Sequence, residues 1–194
     1  FKIREFSNFE PALQAQFPDI RSYMGVGLTD KNASIYFSLS PKGIQTMVLR
    51  SDNATEFMEP ISGTQSVYEL FDSNMVKTDQ LSLYCTTTDK VINKQLGKIA
   101  TAATSYSGQY KTLRLALACT AEYTTYFGGT KAGALTGMNS TLTRVNGIFD
   151  RDLSVQLVLI ANNDAVVYTD ASTDPYSIVA NGAKEGGTWG QEVQ

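Results

Sequence analysis

The sequence predicts an α+β / α/β chain: a β-rich front part followed by a strand–helix–strand unit. Three observations carry that expectation. Leu113, Leu115 and Leu117 alternate with Arg114 and small alanines, as a strand facing a core does. Leu135, Met138, Leu142, Val145 and Phe149 follow Gly128-Gly129 at steps of three and four, the apolar stripe of an amphipathic helix. Ahead of residue 86, short runs rich in β-branched and aromatic residues alternate with turn signals.

Taken in order, Phe1 to Asn8 alternates loosely and reads as a strand or a lead-in. Glu10 to Phe17 reads as a short helix with Pro11 in its first turn and Pro18 closing it. Ile20 to Leu28, Ala33 to Leu39 and Ile44 to Arg50 are strands of an antiparallel meander, the last two joined by the Pro41-Lys42-Gly43 turn. Phe57 to Tyr68 holds Pro60 and Gly63 and reads as a short strand or irregular segment; Val67 to Phe71 and Leu81 to Cys85 are further strand candidates. From Thr86 to Tyr110 the composition shifts to Thr, Lys, Ser and Gly with little apolar periodicity, as in a linker. After the helix that Thr130 caps, Val155 to Leu159 is a strand, Asn162-Asn163-Asp164 a turn, and Val166 to Tyr168 a second strand. A strand, a crossover helix and a strand set two neighbouring strands parallel.

The composition excludes several function classes. The 194 residues suit one or two domains, and 42% hydrophobic with 18% charged residues is an ordinary globular balance. A net charge of −3 is no nucleic-acid footprint. No apolar run approaches the roughly 18 residues of a spanning helix, and FKIREFSNFE carries no signal-peptide core, so a secretion signal is expected outside the sequence. Gly128-Gly129 is not a phosphate loop, because neither GxGxxG nor GxxxxGK[ST] is present. Asn32, Asn53 and Asn139 head N-x-[ST] triplets, of which Asn139 falls inside the helix. Asp164, Asp170 and Asp174, with Asn162 and Asn163, offer oxygen ligands of the kind calcium takes, but not at EF-hand spacing. Turn aspartates also commonly bond their own backbone. The lone Trp189 is expected between the last helix and the sheet.

The run RLALACTAEYTTYFGGT…MNSTLTRVNGIFDRDLSVQLVLIANND…YTD…TDPY resembles the opening of the catalytic domain in secreted bacterial reprolysin-like zinc metallopeptidases, members of the metzincins. The phrase T-R-V-N-x-[IVF]-[FY]-[ED]-R-D that ends the long helix there is Thr143 to Asp152 here. Pro18 to Val48 resembles the propeptide of the same proteins. The resemblance implies a propeptide-like β-rich domain at 1–85 and an incomplete N-terminal part of the catalytic domain at 111–194, joined by the linker at 86–110. In an exposed polar linker Lys94, Lys98 and Lys111 are points for activation cleavage, or else ordinary lysines of a surface loop. The resemblance also implies a zymogen of a metalloendopeptidase whose zinc-bound water attacks a peptide carbonyl, with a Glu of HExxH as general base.

The chain contains no histidine, so the zinc ligands and the catalytic Glu are expected beyond Gln194, and no catalytic residue is assigned within this segment. Cys85 has three open readings: a propeptide thiolate parked on that zinc, a buried thiol, or a disulfide to Cys119. The first rests on the resemblance, although the Pro-Arg-Cys-Gly-type phrase of such switches is missing. The glutamate that some reprolysins use for calcium in the first strand falls nearest to Arg114, so that site does not carry over. The expected partners are the rest of the catalytic domain and a protein or peptide substrate; neither a nucleic acid nor a membrane span is expected. The alternative is a secreted binding or structural module, or a protease inhibitor, on the same fold. Either way the expected location is extracellular.

Overall fold

The computed structural model describes residues 1–51, 54–61, 66–75 and 109–176. The chain divides into one compact unit of 1–77 with 110–174 and a second of 78–109 with 175–194. The described residues fall almost wholly in the first unit, to which the following applies. Cys85, Lys94, Lys98, Trp189 and the Leu81–Cys85 strand candidate lie outside the described residues.

Six strands form an antiparallel meander in chain order: β1 Lys2–Glu5, β2 Arg21–Val26, β3 Ser34–Ser40, β4 Gly43–Leu49, β5 Glu56–Pro60 and β6 Tyr68–Asp72. Cross-strand ring pairs hold the register: Tyr23 stacks on Phe37 at 5.0 Å and Phe57 on Phe71 at 5.4 Å. Between β1 and β2 the short helix α1, Pro11–Gln16, starts on its proline and buries Leu13 completely.

The second sheet has two parallel strands, β7 Lys111–Leu115 and β8 Val155–Leu159, with Leu113 opposite Leu157. Two helices connect them. The first, α2 at Ala121–Tyr126, has no counterpart in the sequence reading, because six residues are too short to show periodicity. Thr120 caps its start by accepting from the Tyr123 N–H. It ends in paired 6→1 and 5→2 bonds, Gly129 N–H to Thr124 O and Gly128 N–H to Thr125 O. That ending places both glycines at positive φ, 100° and 74°, which side chains disfavour.

The long helix α3, Lys131–Leu153, begins at Thr130, whose hydroxyl accepts from the Gly133 N–H at 3.0 Å. Thr130→Ala is expected to lower stability by about 1 kcal/mol, measured as a drop in urea midpoint at constant slope. The apolar stripe of α3 turns Leu135, Met138 and Leu142 toward β8 and α1, where Phe9, Leu13, Ile20 and Leu159 complete a core. Yet every residue from Gly133 to Asn139 is buried. A helix buried all round has partners on two sides, and the second partner is the meander. Its inner face, Met24, Tyr36, Met47 and Leu49 with Phe6, packs against Ile148. Gly147 makes that approach possible: a Cβ there would lie 2.4 Å from Met47 Cε and 2.9 Å from Tyr36 Cδ2.

The unit is therefore layered as sheet, helix, sheet, with α3 in the middle. The α+β class holds as a mostly antiparallel sheet plus a small parallel one. One expectation needs correction. Val166 to Tyr168 is not a strand: Asn163–Val166 forms a 3₁₀ turn, and a single parallel bridge joins Val167 to Cys119. The cause is Asn163, fully buried, whose carboxamide accepts from Leu117 N–H at 2.8 Å and donates to Leu117 O at 3.1 Å. A side chain fills the ladder position that a strand would need.

Candidate functional site

The residues from Thr143 to Asp152 form a seam in which Thr143, Arg144, Asn146 and Asp150 each bond another element. The key member is Asn146, fully buried on α3. Its Oδ1 accepts from Leu157 N–H at 2.8 Å and its Nδ2 donates to Leu157 O at 2.8 Å. The carboxamide thus stands in for one peptide of a third strand beside β8. One ladder step further on, a real third strand arrives from the front of the chain. Leu159 N–H donates to Asn8 O at 2.7 Å, Glu10 N–H donates to Leu159 O at 2.9 Å, and Phe9 bridges Leu159 in parallel.

Asn8 locks this arrival. Its Nδ2 donates to Asn139 Oδ1 and to Thr143 Oγ1, both at 2.9 Å, and its Oδ1 accepts from Asn146 Nδ2 at 2.8 Å. Asn139 in turn donates to Arg21 O at 3.0 Å, and Gln156 donates to Ser7 O at 2.8 Å. Because Asn139 is buried and bonded, its N-x-[ST] triplet is not a glycan acceptor in the folded chain. On the meander side Tyr36 O–H donates to Asp150 Oδ2 at 2.5 Å. Burial first and Asp150 second raise that phenol above its ordinary range, so it remains a donor. Arg144 pairs with Glu59 and lies over the Phe57 ring, and Arg151 pairs with Asp152 at 2.7 Å.

Around the parallel pair, Arg114 finds Glu10, with Nε 2.5 Å from Oε1. The guanidinium first, then the Ala161 N–H on the same carboxylate, holds Glu10 below its ordinary 4.5. A carboxyl lowered on folding adds stability above its unfolded pKa, and that stability is lost as pH falls through the lowered value. Replacing Glu10 by Gln is therefore expected to flatten the acid limb of a stability–pH curve below about pH 4.5. Urea midpoints measured down that limb check this; an unchanged acid slope contradicts it.

The carboxylates that could take calcium are not gathered into one cluster among the described residues. Asp164 faces Lys131 at 3.7 Å, Asp170 accepts from Ser172 N–H at 2.8 Å within its own turn, and Asp174 accepts from Ala121 N–H at 2.9 Å. The three carboxylates serve three different places. Cys119 is a free, buried thiol 3.5 Å from Thr124 Oγ1; its pairing with Cys85 lies outside the described residues. Lys111 opens β7, exposed, its N–H bonded to Ser154 O at 3.0 Å. A cleft of about 800 Å³ lies between the β3–β4 hairpin and the α2–α3 pair, its rim carrying Lys42, Tyr126 and Arg144. Both cations there are engaged, Lys42 with Phe127 O at 2.5 Å and Arg144 with Glu59.

Zinc was the implied metal, and the residues present do not fit it. The chain has no histidine, and among the described residues no three of His, Cys, Asp and Glu come together to hold a metal ion. What the site does contain is a strand–helix–strand layer whose long helix ends in the Thr143–Asp152 phrase. Residues 109–192, a little under half of the chain, match the family described as metallo-peptidase family M12B, reprolysin-like. This segment is reprolysin-like. No curated protein and no solved structure matches the chain. The reprolysin-like segment thus resembles a family of peptide-bond hydrolases, and it contains no histidine. No helix among the described residues is long and apolar enough to cross a membrane.

Proposed function

We propose that this chain is the front part of a secreted zinc-dependent metalloendopeptidase: an N-terminal cap and the upper scaffold of its catalytic domain. The family match over 109–192 carries this reading. The parallel β7–β8 pair covered by α3 supports it, being the layer on which a cleft can be built at the strand ends. The chain's own residues bind and orient; zinc ligands and general base come from residues outside this sequence. In the latent form the Cys85 thiolate is the group assigned to that metal. Protein or peptide is the substrate class.

Reading the gene past the codon for Gln194 tests the proposal at once. His-Glu-x-x-His with a further histidine downstream is the expected result, and an open reading frame without it sinks the peptidase reading. The 194-residue chain alone is expected to retain no stoichiometric zinc after dialysis, whereas the parent protein retains about one per molecule. In the parent, Cys85→Ser should raise activity before any cut; equal latency would remove the thiolate role.

A further inference from the structure

The seam described above joins residues 6–59 to residues 114–161 through three independent kinds of contact. The first is backbone: Asn8 O and Glu10 N–H complete the open edge of β8 at Leu159. Parallel pairs are normally covered on both faces and flanked by further strands, and two strands alone are marginal. The second is a closed set of carboxamides, Asn8, Asn139 and Asn146, all at most 1% exposed. No buried side-chain N or O atom among the described residues lacks a partner. Separation would leave Asn8 and its receptors on α3 unpaired in apolar surroundings. The third is the core itself. Phe9, Leu13 and Ile20 sit among Leu135, Met138, Leu142 and Leu159, and Tyr36 and Met47 close over Gly147. Neither side has a complete core without the other.

None of these contacts involves residues 76–108. We infer that residues 1–75 and 110–176 hold together without the covalent connection between them, so that a cut within 76–108 yields a stable two-chain protein and does not release the front part. The front part is then a permanent third strand and cover of the reprolysin-like layer. Any activation by such a cut proceeds with residues 1–75 still in place. The inference goes beyond the proposed function and stands whether or not the parent hydrolyses peptides.

The test uses the whole chain with a recognition sequence for a site-specific protease inserted after Gly97, cut to completion as judged on a denaturing gel. On native gel filtration the two pieces are expected to co-elute at the volume of the uncut chain and to part only in denaturant. Amide exchange at Glu10 and Leu159 is expected to change by less than about ten-fold on cutting, as for groups that open only with the whole unit. Separation of the pieces, precipitation of either one, or a larger acceleration at those two amides overturns the inference. Asn8→Ala in the same background should lower the urea concentration at which the pieces part; an identical concentration counts against the seam as the cause.

Discussion

Replacing Asn146 with alanine is expected to destabilise the protein by roughly 3–5 kcal/mol, since each buried group left without a partner costs about 1–3 kcal/mol. Three groups lose theirs at once: Leu157 N–H, Leu157 O and Asn8 Oδ1. Asn146 is fully buried, so bulk solvent does not reach the three groups. Asn146→Asp should be nearly as damaging. It keeps an acceptor for Leu157 N–H but has no donor for Leu157 O or Asn8 Oδ1, and it buries a charge. Urea unfolding at constant slope measures both, and a loss below about 1 kcal/mol would show that the carboxamide is dispensable.

Truncating Leu13 to alanine is expected to cost about 2–5 kcal/mol. This leucine belongs to α1, in the front part, yet it is 0% exposed in the core that α3 and β8 share. The size of the loss matters less than its reach. If 1–75 and 110–176 fold as one cooperative unit, slow amides of β3 and of β8 lose the same free energy of protection. Amides of β8 that kept wild-type protection while those of β3 weakened would show two separate units and contradict the layered core.

The contrast between pattern and partner explains what could be read in advance. The meander strands were legible because β-branched and aromatic runs lie between turn residues close in sequence. Thr130 was legible as a cap for the same local reason. On α3 the periodicity revealed the face toward β8 and hid the face toward the meander. That second face carries Ser140, 3.1 Å from Ser38 Oγ, and Gly147, against Met47 and Tyr36, which are small rather than apolar. The role of Ser7 to Glu10 was hidden too. Asn8 reads as the end of a strand or lead-in, and its partners Asn139, Thr143 and Asn146 lie 131, 135 and 138 positions away. The Thr143–Asp152 phrase was recognisable as a family signature, but only the structure shows its physical task of joining two sheets across one helix. Val166 to Tyr168 failed as a strand because Asn163 had already occupied the backbone of Leu117.

The parallel edge at Leu159 also sets a timetable for the newborn chain. The Glu10 carboxylate meets the Ala161 amide across 151 positions. At the roughly 5–20 residues per second of synthesis, the first segment waits about 8–30 s for its counterpart to emerge. Through that interval Phe9 and Leu13 lack the α3 and β8 residues they bury against. Closing so long a span before any contact rewards it makes folding slow, and the ribosome-bound front half is the species that holdase chaperones would meet.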